Sequence, residues 1–426
     1  MSTTCGLHAS AGPLTRRAFV HNAGAAALAV AAIRGGAGEA SARKSEPPDP
    51  KPYTPLDPAK KIRMGIVGGG FGASFQWHLH PNCIVHAVSD LVPKRRERLM
   101  KTYRCERSYP SLAKLILDKK IDAVAVCTGA PVHAQHCMNV MKTGKHVWCC
   151  VPACHTLQEA AALKETKERT GLRYMMAETS YYHTYAMAAR DLYRQGAFGE
   201  IFYSEVEYSH PLVHELSRWW YDAQGKPTWR NGYPPAFYPT HGTAYATGVT
   251  GERVVAVSAL GLCAPEIDRV PPGNNGYGKG RNPYDNPFNV TVMLFKTDKG
   301  HIVRCKVVFA GTNAGERADL YGTRMSFYTP RGTSGQTFKM HGPGAPAWKR
   351  LPVYAQRLPE PMRSGSGHGG SHPHLTHEFI AALVEDREPA IDLYEALAMG
   401  VPGIVGHQSA LKGGEQLEVP TFDRRG

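Results

Sequence analysis

Residues 62–73, Ile-Arg-Met-Gly-Ile-Val-Gly-Gly-Gly-Phe-Gly-Ala, constrain the fold of this chain more than any other stretch. Ile62 to Val67 reads as a buried strand. Gly68, Gly70 and Ala73 then fit the pattern G-x-G-x-x-A ahead of a stretch that reads as a helix to about His80. Small residues there let the backbone approach a pyrophosphate, which the N-terminus of the next helix attracts. Cys83 to Ser89 reads as a second strand ending at Asp90, about twenty residues beyond the glycines, where a carboxylate can bind a ribose diol. The combination predicts a dinucleotide site made by Gly68, Gly70, Phe71, Ala73 and Asp90. Asp90 would repel a 2′-phosphate and so favours NAD over NADP. Arg95 and Arg96 could hold such a phosphate, but the run Lys94 to Arg98 reads as a solvated helix face.

Asp122 to Cys127 and His146 to Cys150 read as further strands, each after a helical stretch. This alternation predicts an α/β Rossmann domain over residues 61–181, with a parallel sheet and covering helices. Thr128 and the loop to His133 follow a strand at the carboxyl edge, which places them at the nicotinamide end. Cys150 and Val151 follow the next strand and belong to the same edge. Residues 182–426 read as an α+β domain with an open antiparallel sheet. Its strands are Glu200 to Tyr208, Arg253 to Leu262, Asn289 to Thr297 and His301 to Ala310. The turn Asp298-Lys299-Gly300 makes the last two a hairpin. Thr376 to Leu383 and Tyr394 to Leu411 read as helices, with Pro402 a break or kink in the second.

The 426 residues are 42% hydrophobic and 20% charged, which excludes a disordered, collagen-like or multi-span membrane chain. Lys and Arg number 50 against 36 Asp and Glu. No basic run is interleaved with aromatics, so no nucleic-acid partner is expected. Ten cysteines in this length are no disulfide framework. No metal is expected either. Cys149 and Cys150 point to opposite faces of a strand, and the spacing of His368, His372, His374 and His377 is a weak guide to ligand geometry. At the N-terminus, Arg16 and Arg17 precede the Ala-rich stretch Ala23 to Ile33, and Ala40-Ser41-Ala42 offers a cleavage site. Residues 1–42 therefore read as a twin-arginine signal peptide handing the chain to the Tat translocon for periplasmic export, and 43–60 as a proline-rich linker. Removing the leader takes Arg16, Arg17 and Arg34 but only Glu39, so the basic excess belongs to the body.

The glycine loop, Asp90, the strand Asp122 to Thr128, His133, Gly144-Lys145-His146-Val147 and Gly-His-Gly-Gly at 367–370 together resemble the Gfo/Idh/MocA oxidoreductases. That family pairs a Rossmann domain with an open sheet whose face binds a sugar. Its usual Glu-Lys-Pro motif is replaced here by Cys150-Val151-Pro152. The NAD-dependent glycosidases of glycoside hydrolase family 109 also lack that lysine. They carry Cys-Glu-Val-Pro where this chain has Cys149-Cys150-Val151-Pro152. Met175 to Tyr182 and Tyr238-Pro239-Thr240-His241 are similar to their other motifs, the latter without a change.

The resemblance implies an exported, NAD-dependent, carbohydrate-active enzyme. A sugar C3 is oxidised, the C1 substituent is eliminated, water adds, and the carbon is reduced again. His241 and Tyr182 are the expected acid–base pair. Tyr208, Arg230, Tyr238 and Thr240 are expected on substrate hydroxyls, and Thr128, His133, Cys150 and Val151 at the cofactor. Two rival readings are a sugar or polyol oxidoreductase of the same family and a non-catalytic sugar-binding scaffold. An open sheet face in this fold class also leads to the expectation of a homo-oligomer.

Overall fold

The computed structural model describes residues 46–424 apart from 49, 211–220, 223, 265–281, 312–313, 331–337 and 366. The stretch read as a twin-arginine leader lies outside the described residues. A six-stranded parallel sheet comes first. Its strands are β1 (Ile62–Val67), β2 (Cys83–Ser89), β3 (Ser108–Tyr109), β4 (Ala123–Val126), β5 (His146–Cys149) and β6 (Tyr174–Met176). They run in the order β3-β2-β1-β4-β5-β6, all parallel. That order reverses between β1 and β4, and such a switch point leaves a crevice at the carboxyl ends of the strands. β4 is buried along its whole length, as a parallel strand covered on both faces must be.

Local chemistry sets the covering helices. Thr156 caps Leu157–Thr170 by accepting from the Glu159 N–H, while the Glu159 carboxylate reaches back to the His155 N–H at 2.8 Å. Gly171 closes that helix at φ 66°. The helix expected after the glycine loop is not formed. Two short 3₁₀ turns, Phe71–Ser74 and Trp77–Leu79, flank an extended Phe75. Phe75 and Trp77 are two residues apart, yet both are buried on Trp148 with ring centroids 4.6 and 5.3 Å away. Two inward residues at that spacing need a pleat rather than a helical turn, so packing on Trp148 overrides the helical pattern.

The second sheet contains β7 (Ile201–Ser209), β8 (Val254–Leu262), β9 (Val290–Thr297), β10 (Ile302–Val308), β11 (Gly315–Gly322), β12 (Ser326–Tyr328), β13 (Lys339–His341) and β14 (Leu417–Glu418). The order is β13-β12-β11-β7-β10-β9-β8-β14. It is antiparallel except where β10 runs parallel to β7, so the sheet is mixed. β9 and β10 form the expected hairpin, with Gly300 in its turn at φ 85°.

The inner face of this sheet packs on Leu393–Leu411, a helix that Asp392 caps through the Glu395 N–H. Pro402 sits inside that helix and does not end it. An internal proline costs about 3 kcal/mol, whereas Leu393, Leu397, Met399, Val401, Ile404 and Val405 are all buried and contribute roughly 1.5–3 kcal/mol each. Packing wins. The outer face divides into two halves. Leu260, Leu262 and Leu294 are exposed on the β8–β9 side. Glu205, Glu207, Arg304, Lys306 and Arg317 form an ion-pair ladder across β7, β10 and β11.

The stretch read as a linker lies against the body. The Tyr53 N–H donates to Gln356 O at 2.8 Å, and the Tyr53 ring meets His377 edge-on.

Candidate active site

The carboxyl edge of the parallel sheet is shaped for a dinucleotide. Gly68 adopts φ 102°, and a Cβ there would stand 2.2 Å from the Cys127 carbonyl oxygen. Around Gly70 the same atom would meet nothing within 4 Å. The loop is thus pressed onto the β4 end and open on its other side. Asp90 holds it in place, accepting from the Gly69 N–H at 2.6 Å and the Val92 N–H at 2.8 Å. Phe71, Leu91, Val92 and Val132 follow β1, β2 and β4, and all four expose apolar side chains at this edge, where an adenine and a nicotinamide need flat apolar contacts. The residues present fit NAD.

His133 is almost wholly buried. Its Nδ1 lies 2.8 Å from Pro152 O and its Nε2 3.0 Å from Thr128 O. Both partners are carbonyl oxygens, so both nitrogens carry protons and the ring is a cation. Burial opposes that charge, but Cys149 and the other neighbours outweigh it and push the pKa up to about 9. His133 therefore ties the loop after β4 to the loop after β5. Thr128 Oγ1 is 3.0 Å from His136 Nδ1. Cys150 is buried, and burial followed by Cys127 pushes its thiol well up, so it stays protonated. Val151 is partly buried against the core.

A second cluster gathers where the two sheets' loops converge. His241 Nδ1–H donates to Glu178 Oε1 at 2.7 Å, and Ser180 Oγ stands 3.0 Å from the same nitrogen. The Ser180 N–H donates to Glu178 Oε1 at 2.8 Å. Glu178 is fully buried. Burial would raise its carboxyl, but the His241 charge and hydrogen bond outweigh that and hold it below the usual range. For His241, burial lowers and Glu178 raises, and Glu178 wins. Glu178 thus favours the protonated ring and fixes a proton on Nδ1, so the neutral form of His241 presents a bare Nε2.

Beside it lies a second acid–histidine pair. His183 Nδ1 is 3.2 Å from Glu316 Oε2 and 2.9 Å from the Tyr245 hydroxyl. Glu316 Oε1 is 4.0 Å from His241 Nδ1. Among the described residues His241 Nε2 has no hydrogen-bond partner, and it is not buried. It is the free end of the dyad.

Two of the expected substrate residues, Tyr208 and Tyr238, lie beside the His241 ring. Tyr208 and Glu316 are directly paired across β7 and β11, which sets both toward His241. The Tyr208 ring is 4.2 Å and the Tyr238 ring 5.7 Å from the His241 ring. Arg230 bonds Tyr238 and lies 4.3 Å over Trp229. Trp229 in turn covers Gly129, so this wall meets the β4 loop of the nucleotide edge. Thr240 is buried, and its hydroxyl has no hydrogen-bond partner among the described residues.

Tyr182 stands apart. Its ring lies parallel to His374 at 5.9 Å, and no contact joins it to His241 among the described residues. Burial and then Glu378 push its phenol well above the ordinary value, against the opposing charge of Arg190.

Sequence reasoning missed Glu178, Ser180, His183, Tyr245 and Glu316 as site residues. Glu178 and Ser180 lie inside the motif Met175 to Tyr182 and were within reach. Glu316 sits alone in a strand, and only register reveals it. Among the described residues, no group of three or more His, Cys, Asp or Glu side chains is arranged to hold a metal ion.

Comparisons with known proteins agree with this geometry. The family profile GFO_IDH_MocA, described as an oxidoreductase family with an NAD-binding Rossmann fold, matches residues 62–178. A protein of Solibacter usitatus named glycosyl hydrolase family 109 protein is 26% identical, covering 86% of this chain and 89% of that one. A Streptomyces coelicolor protein of the same name is 24% identical, over 85% and 83%. Among solved structures, an Agrobacterium radiobacter oxidoreductase in complex with NAD+, L-tartaric acid and magnesium has a TM-score of 0.65 at 18% identity, covering 84% and 98%. Levoglucosan dehydrogenase with NADH and levoglucosan has a TM-score of 0.65 at 17%, over 85% and 100%. Residues 62–178 thus match the NAD-binding Rossmann fold of the Gfo/Idh/MocA oxidoreductases, in a chain similar over most of its length to proteins named glycosyl hydrolase family 109.

Proposed function

We propose that this protein is an exported NAD-dependent carbohydrate-active enzyme that cleaves glycosides through transient oxidation of the sugar. The observation that carries this reading is the buried Glu178–His241 dyad, whose imidazole ring lies beside Tyr208 and Tyr238. The glycine loop and Asp90 would hold NAD, which would supply reversible hydride acceptance at a sugar carbon. His241 accepts the proton of the hydroxyl on that carbon through Nε2 and returns it at the end. Glu178 compensates the charge on the ring while it holds the proton. Val151 cannot exchange protons, and the Cys150 thiol is held protonated, so proton transfer on this side falls to His241. Oxidation at C3 acidifies the neighbouring C2–H, which allows a modest base to remove it and the C1 group to leave. Arg230, Tyr238, Thr240 and Tyr208 position hydroxyls. The net reaction is hydrolysis, and the cofactor ends as it began, which suits an enzyme exported away from a pool of free NAD.

The test adds no cofactor. The purified protein is incubated with a panel of aryl glycosides in heavy water, and the released sugars are read by NMR. Deuterium at C2 is the expected result. Cleavage without exchange would overturn the oxidative route. An oxidised sugar without cleavage would make the protein a sugar oxidoreductase, and binding without any product a scaffold. Export is expected to depend on Arg16 and Arg17. The doubly substituted Arg16→Lys, Arg17→Lys chain should stay in the cytoplasm, and its full appearance in the periplasm would exclude the twin-arginine route.

A further inference from the structure

A cavity of about 640 Å³ opens under the proline-rich stretch that precedes β1, and none of the residues lining it belongs to the nucleotide edge or to the acid–histidine cluster. A volume of this size suits a small-molecule ligand. One wall is the stretch from Pro50 to Leu56, which Tyr53 ties to Gln356 O and His377. The others are the end of the helix Thr184–Arg194, the segment from Trp348 to Arg357, and the end of the helix Ser371–Val384 with Glu385 and Arg387 beyond it.

Charge in this cavity is out of balance. Lys51, Arg194, Arg357 and Arg387 line it against the carboxylates of Asp191 and Glu385. Arg387 is fully satisfied, since it donates to both oxygens of Glu378 at 2.7 and 3.1 Å and to Glu385 at 2.7 Å. The other three cations share one acid. Asp191 accepts from the Tyr354 hydroxyl at 2.9 Å and from Arg357 Nη2 at 3.1 Å, which leaves Arg194 at 3.6 Å. Lys51 is exposed and has no ion pair among the described residues. Arg190, one turn back on the same helix, adds to the excess. It is buried with its guanidinium 3.6 Å over the Tyr181 ring, has no carboxylate partner among the described residues, and leaves Nη1 unpaired. His377 is no counterweight, because burial lowers its pKa to about 4 and its ring is neutral. Four cations thus stand around Asp191 and the cavity beside it, an excess that an anionic ligand would relieve.

The lining also has flat apolar surface. Trp348 and Tyr53 are half-buried in it. Aromatic rings of this kind take the C–H face of a pyranose. The planar fork of a guanidinium matches a planar carboxylate.

We propose that this cavity is a second binding site, which takes a uronic-acid saccharide with its carboxylates on Lys51, Arg194 and Arg357 and its rings against Trp348 and Tyr53. The site holds an acidic chain away from His241 and takes no part in the chemistry. The saccharide part rests on the proposed function; the anionic part rests on the charges alone.

Calorimetric titration of trigalacturonate into the NAD-loaded protein tests both parts. The acid should bind, more weakly as salt is added. Its methyl ester, with the same sugars and no charge, should bind about tenfold more weakly, the effect of a lost charged hydrogen bond. Lys51→Glu and Arg194→Glu alter exposed side chains. Each should weaken trigalacturonate binding about tenfold and leave cleavage of aryl glycosides unchanged. Equal binding of acid and ester would overturn the anionic part. No binding, or undiminished binding in both variants, would overturn the site itself, the latter by placing the probe elsewhere on the basic surface. Inorganic sulfate or hexaglutamate displacing the probe at equal charge would overturn the saccharide part in favour of a simple anion or an acidic peptide. An inert glycoside panel would count against the proposed function, and the titration would still decide this cavity.

Discussion

Replacing His241 by alanine is expected to leave NAD bound and to lower turnover by about a hundredfold or more, the usual scale for a positioned acid–base group. Among the described residues none of the contacts of His241 reaches the glycine loop or Asp90, so nucleotide retention measured by mass spectrometry should not change. Near-normal turnover would remove His241 from the chemistry. Glu178→Gln provides the finer test. Glu178 raises the His241 pKa, and proton acceptance needs the neutral ring. The amide should therefore shift the acidic limb of the pH–rate profile to lower pH while lowering the plateau. A limb that does not move would detach Glu178 from His241.

The same pair contributes to stability in a defined window. His241 has a raised pKa, so its contribution is complete below its ordinary value of 6.5 and is lost as pH rises through the raised one. Glu178 has a lowered pKa, so its contribution is complete above its ordinary value of 4.5 and is lost as pH falls through the lowered one. The pair therefore stabilises most between about 4.5 and 6.5. Breaking a buried ion pair from one side costs about 3–5 kcal/mol, so the thermal midpoint of Glu178→Ala should fall furthest behind that of the unmodified protein within this window.

Gly68→Ala is the second change expected to have a large effect. The new Cβ would lie 2.2 Å from the Cys127 carbonyl oxygen at φ 102°, so clash and backbone strain act together. A loss of about 2–5 kcal/mol follows, and the loop should no longer retain NAD. Gly70→Ala separates the two effects, because a Cβ there meets nothing within 4 Å. It should keep its thermal midpoint and still lose NAD, since the only thing it can obstruct is the approach of the pyrophosphate. Full NAD occupancy in Gly70→Ala would place the dinucleotide elsewhere.

Strand alternation and the glycine loop were legible in the sequence because they depend on local pattern. The hairpin of β9 and β10 and the capped helix Leu157–Thr170 are of the same kind. The helix after Ala73 was misread because its residues have helical spacing in isolation, while Trp148, more than seventy positions later, draws Phe75 and Trp77 inward. The parallel pairing of β7 with β10 depends on the whole sheet, and no local signal carries it. The site divides in the same way. His241, Tyr238 and Thr240 lie in one recognisable motif. Glu316 reaches His241 only because β11 is registered on β7, and His183 joins the cluster through Glu316.

The β7–β10 pairing also orders events during synthesis. Tyr203 finds its partner in Ile302, and Tyr208 its cross-strand neighbour in Glu316. A ribosome working at roughly 5–20 residues per second needs about 5–20 s to cover that distance. For all that time the first sheet is already made and can close on its own core, while β7 has nothing to join. The nascent chain can therefore hold a nucleotide well before the carboxylate that completes the catalytic cluster has left the exit tunnel.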